Sequence, residues 1–174
     1  SYMEDARRTR AEAECKVLGA ALMSCWKDVG VVPARSDLGV NGTVSVLLSG
    51  PTKPTVNPWN ATHQWATDGM SATLGDVLDN HLLRNTPNGA AAGAYPITGS
   101  NRWRGPYTNG PAPLDPWGRP YIINVIAGWS TAATWYRRLF VLSAGGDGII
   151  STVYTAMATT AITGDDVGFL LSER

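Results

Sequence analysis

Three aspartates are the residues of this chain best placed to do chemistry together. Asp147 sits in the run Gly145-Gly146-Asp147-Gly148, and the pair Asp165-Asp166 follows an uncharged stretch of 17 residues. Carboxylates gathered with the free carbonyls of a glycine-permitted loop suit a hard cation, calcium above all, which takes about 6–8 oxygens at about 2.3–2.6 Å. The spacing is not that of an EF-hand, and Asp-Gly is also a common hairpin turn, so the residues alone leave a plain turn open beside a cation site. Other chemistries have less to work with. The two histidines, His63 and His81, are remote from any serine elbow, and no G-x-S-x-G occurs. The Gly145–Gly148 turn lacks the lysine and spacing of a phosphate-binding loop. Cys15 and Cys25 form no C-x-x-C pair, and two histidines are too few for a convincing zinc enzyme. No base and nucleophile pair is visible, so the chain does not read as an enzyme.

These residues must be positioned by a chain of 174 residues, enough for one sizeable core and short of the length at which domains usually split. The 14 basic residues balance the 14 acidic ones, so there is no electrostatic footprint for nucleic acid and no polybasic run for an acidic membrane surface. Nineteen glycines and 11 prolines favour turns and loops over an all-helical bundle. Ten of the 28 charges crowd between Glu4 and Asp28, and no run of 18 apolar residues exists. The seven tryptophans are scattered and read as core and loop anchors, with a periplasmic or secreted ligand-binding module as the rival use for them.

The charged stretch is helical in pattern. Ala11, Cys15, Leu18, Leu22, Cys25 and Val29 step by three or four residues, and Gly30 followed by Pro33 supplies the stop, which predicts a helix over 4–30. Such a helix sets the two cysteines about 15 Å apart, beyond disulfide reach. Its first two turns, charged around most of the circumference, are expected to project from the body. Region 31–101 is loop-rich, with one strand on Val44, Val46 and Leu48 and a short helix opening at Thr73, on whose apolar face His81 reads as a structural residue. From Asn101 strands take over: a type I turn at Asp115-Pro116-Trp117-Gly118, then strands over 121–126 and 135–142.

Three pieces together resemble the major pseudopilin of the bacterial type II secretion system, within the type IV pilin superfamily. They are the helix ending in Asp28-Val29-Gly30 with Pro33, the pair Trp103-Arg104-Gly105-Pro106-Tyr107 and Asp115-Pro116-Trp117-Gly118-Arg119-Pro120-Tyr121, and the run Phe140 to Gly148 with Gly164-Asp165-Asp166 after it. The second piece, similar to the family's W-x-G-P-Y and D-P-W-G-x-P-Y segments, is the most specific. The resemblance implies a single α+β pilin-like domain, with the long N-terminal helix packed on a small antiparallel sheet formed by 102–174. It implies a leader and an apolar membrane segment upstream of Glu4, which would root the subunit in the inner membrane with this domain in the periplasm. It implies self-assembly with identical subunits and other pseudopilins on an inner-membrane platform, and no catalysis. It also implies a calcium site at Asp147, Asp165 and Asp166 with the carbonyls of Ala144 and Ile149. A type IV pilus or specialised pilin-like subunit is the alternative within the superfamily. Two segments exceed the family pattern: 31–101, and the 17 residues of 148–164, which are expected to form an added hairpin.

Overall fold

The computed structural model describes all 174 residues. Helix α1 (Tyr2–Val29) opens on a Ser1 side-chain cap and closes on Gly30 in the left-handed region, φ 81°. Its buried stripe is Ala11, Cys15, Leu18, Gly19, Ala21, Leu22, Cys25 and Val29, the spacing anticipated from sequence. Both cysteines are free and buried, and burial pushes the Cys25 thiol up to about 12. No helix is long and apolar enough to cross a membrane.

The sheet has five strands in the order β2-β1-β3-β4-β5: β1 (Val46–Leu48), β2 (Gly75–Val77), β3 (Ile122–Ile123), β4 (Arg138–Ser143) and β5 (Val167–Glu173). It is mixed, not purely antiparallel as expected: β1 and β2 run parallel. A parallel neighbour needs a long crossover, and the segment between them supplies one that carries α2 (Gln64–Met70). The helix expected at Thr73 starts later, as α3 (Leu78–Leu82), because Gly75 to Val77 is drawn into the sheet first. Gly75 is required there, since a Cβ would lie 2.6 Å from the carbonyl oxygens of Asp68 and Gly69.

Both faces of the sheet are covered. Leu47, Ile123, Leu139, Val141 and Val167 face the α1 stripe in one cluster. Val46, Leu48, Ile122, Phe140 and Leu142 pack in a second cluster with Trp59, Trp65, Ile150, Tyr154 and Ala156. The alternation along β1, β3 and β4 therefore sorts residues between two cores, and none of β1 is left for solvent. Segment 148–164 contains no strand, contrary to the expected hairpin. It is a turn-rich cover, pinned by the Trp65 indole donating to the Thr152 carbonyl at 2.9 Å and by Tyr154 on Asp68.

The start of α1 does not project. Glu4 accepts from the Trp117 indole at 2.7 Å, and Arg8 reaches Asp165, so specific polar partners hold the charged turns against the body.

Candidate functional site

Strand β4 delivers the chain into the glycine turn. Gly145 (φ 70°) and Gly148 (φ 71°) lie in the left-handed region that side chains avoid. The Gly148 N–H closes on the Gly145 carbonyl at 3.3 Å. Space is short as well: a Cβ on Gly145 would stand 2.0 Å from the Asp165 carbonyl oxygen, and one on Gly148 2.5 Å from Arg119 Cζ.

Asp147 and Asp165 are joined directly, the Asp147 N–H donating to Asp165 Oδ2 at 2.8 Å. The Asp147 carboxylate turns back on its own loop to accept from the Ile149 N–H at 2.9 Å. Asp165 Oδ1 and the Asp165 carbonyl both accept from Arg8 Nη1, at 3.3 and 3.2 Å. Asp166 is engaged elsewhere: Oδ2 accepts from the Ser151 and Thr152 N–H groups at 3.0 and 2.8 Å and from the Thr152 hydroxyl at 2.6 Å. Burial pushes the Asp166 carboxyl up from the ordinary aspartate value, against the lowering effect of those donors. Ala144 is fully buried and Ile149 half-buried on either side of the turn.

Around this loop stand residues that the sequence did not mark as its partners. Asn60 Nδ2 donates to the Asp147 carbonyl at 2.7 Å, and Arg119 fixes the Asn60 segment by donating to the Pro58 carbonyl at 2.9 Å. Arg8 lies 157 positions from Asp165, so no local pattern could have announced the pair.

The two segments that form the most specific piece of the resemblance both end on α1. From the first, the Tyr107 hydroxyl donates to Asp28 at 2.9 Å, and the Trp103 indole donates to the His81 carbonyl at 2.7 Å. From the second, Trp117 binds Glu4 and the Tyr121 hydroxyl donates to Glu14. The Asp115 turn forms as expected: its carbonyl accepts from Gly118 N–H at 2.9 Å, and its side chain holds the N–H groups of Trp117 and Arg119 and the Ser143 hydroxyl.

His81 is structural: it is fully buried, with Nε2 2.8 Å from Asp76 Oδ2 and Nδ1 2.7 Å from the Tyr95 hydroxyl. Of the tryptophans, Trp59 and Trp65 are core residues and Trp135 is exposed, while Trp26 and Trp129 line an open groove of about 460 Å³ with Asn41 and Gly42.

No protein-family model matches this chain, and neither a curated protein nor a solved structure matches it.

Of the residues expected to bind calcium, Asp147 and Asp165 are hydrogen-bonded to each other, and Asp166 is bonded to Ser151 and Thr152. No three acidic, histidine or cysteine side chains are arranged to hold a metal ion, and each of the three aspartate carboxylates is already turned to protein donors.

Proposed function

We propose that the chain is a structural subunit of a type II secretion pseudopilus, with α1 as the exposed part of the filament spine. The observation that carries this reading is that the two most family-like segments serve one mechanical purpose. Trp117 and Tyr121 tie down the first half of α1, and Tyr107 ties down its last turn. Load applied along the helix is then passed to the sheet as to one rigid body, which is what a filament subunit that pushes cargo requires.

The same arrangement leaves one side of α1 for neighbours. Tyr2, Met3, Val17 and Met23 are its exposed apolar residues, set among balanced charges. Identical subunits and other pseudopilins are the partners in this reading, assembled from an inner-membrane platform into a periplasmic filament. The domain itself makes and breaks no bond. The reading frame upstream of Ser1 tests this: a basic leader and about 20 apolar residues running into α1 support it, whereas a cleavable secretory signal peptide overturns it.

A further inference from the structure

We infer that Arg8 closes the C-terminal loop in the role that the family gives to calcium, so that this loop folds without a divalent ion. The contrast with calcium rests on the pseudopilin reading; the clamp itself rests on geometry alone.

The guanidinium of Arg8 donates from Nη1 to both the carbonyl and the carboxylate of Asp165. The other oxygen of that carboxylate holds the Asp147 N–H at 2.8 Å. A continuous polar chain therefore runs from α1 through Asp165 into the glycine turn. It joins the two ends of the loop, since the turn at 145–148 opens it and Asp165 closes it. Tying those ends together with a positive charge is what a bound cation would otherwise do.

The remaining charges point the same way. Calcium affinity rises with the number of carboxylates free to coordinate. Here Asp166 is hydrogen-bonded within its own cradle of Ser151 and Thr152 donors, and the Asp147 carboxylate is folded onto Ile149 N–H. A second guanidinium, Arg119, packs so closely on Gly148 that a Cβ would meet it at 2.5 Å. An incoming divalent ion would face two cations, while the further carboxylate at the turn, Glu4, is held by the Trp117 indole at 2.7 Å. Arg8 and Asp165 side chains are 37% and 40% exposed, so the clamp is partly screened and its loss should be tolerated by the fold.

Thermal melts and amide exchange of the full chain test this, with calcium and a chelator as the probes. The wild type should melt at one temperature in either, and titration calorimetry with calcium should register no binding. Arg8→Gln should lower the midpoint by about 2–4 °C and speed exchange across 145–167, with calcium restoring neither. Arg8→Lys, which keeps the charge but not the planar guanidinium, should recover part of the protection. Calcium binding to the wild type, calcium rescue of Arg8→Gln, or unchanged exchange in Arg8→Gln would each overturn the inference. None of these results bears on whether the chain assembles into filaments, so the two readings fail separately.

Discussion

At Gly19 the missing side chain is what lets α1 lie on β5. A Cβ there would stand 2.6 Å from Phe169 Cζ and 3.1 Å from Leu171 Cδ1. Gly19→Ala should cost about 1–3 kcal/mol through overpacking, less the roughly 1 kcal/mol that alanine gains over glycine inside a helix, measured by denaturant unfolding, and Phe169→Leu in the same chain should recover part of the loss. Asp76 has the opposite problem, a buried charge that must stay satisfied. Burial raises its pKa, but hydrogen bonds and charge from His81, with further bonds from Asn88 and Asn80, outweigh this and hold the carboxyl below its ordinary value. A carboxyl depressed by folding contributes stability that is full above its unfolded pKa, about 3.8, and is lost as pH falls through the folded value. Asp76→Asn should therefore cost about 2–3 kcal/mol at neutral pH, and the gap to wild type should narrow below about pH 4 in acid titrations followed by circular dichroism. Neither role was legible in the sequence. The site aspartates were visible as types and spacing, but their partners Arg8 and Asn60 lie 157 and 87 positions away and are brought in only by packing.

The elements that could be read were those with an uninterrupted period. Helix α1 was legible because eight buried positions repeat at helical spacing and Gly30 ends it. Strand β5 was not, because its alternation is broken: Leu139 pairs with Ser172 and Phe140 with Leu170, leaving Leu171 as an extra residue. A bulge of this kind also twists an edge strand away from unwanted pairing. Helix α2 was missed because it has seven residues and an unusual cap, His63, whose Nδ1 accepts from the Ala66 N–H at 2.9 Å. That cap works only while Nδ1 carries no proton. Burial holds the His63 pKa below its ordinary 6.5, so its contribution is full above about pH 6.5 and is lost as pH falls through the folded value. His63→Asn, a good cap that does not titrate, should flatten the fall in melting temperature between pH 7 and pH 5. An identical slope in both proteins would remove the cap from the explanation.

Across the whole molecule, the two long turn-rich segments account for each other. Region 31–101 supplies Trp59 and Trp65, and segment 148–164 supplies Ile150, Tyr154 and Ala156, and together they cover the sheet face opposite α1. The long helix and the strand-bearing second half were legible in period, and the helix-on-sheet layer was implied by the resemblance. The second cover was not, because it is built from turns whose apolar residues follow no period. The rigid-body account predicts that removing the ties nearest the two ends of the helix, with Trp117→Phe and Tyr107→Phe together, speeds amide exchange in the first and last turns of α1 while β4 stays protected. The central claim is assembly into a secretion filament, and the most direct measurement is immunogold electron microscopy of bacteria producing the complete gene product with its assembly platform, paired with an export assay after deletion of the gene. Labelled filaments and lost export are the predicted result; diffuse label with export intact would contradict the account.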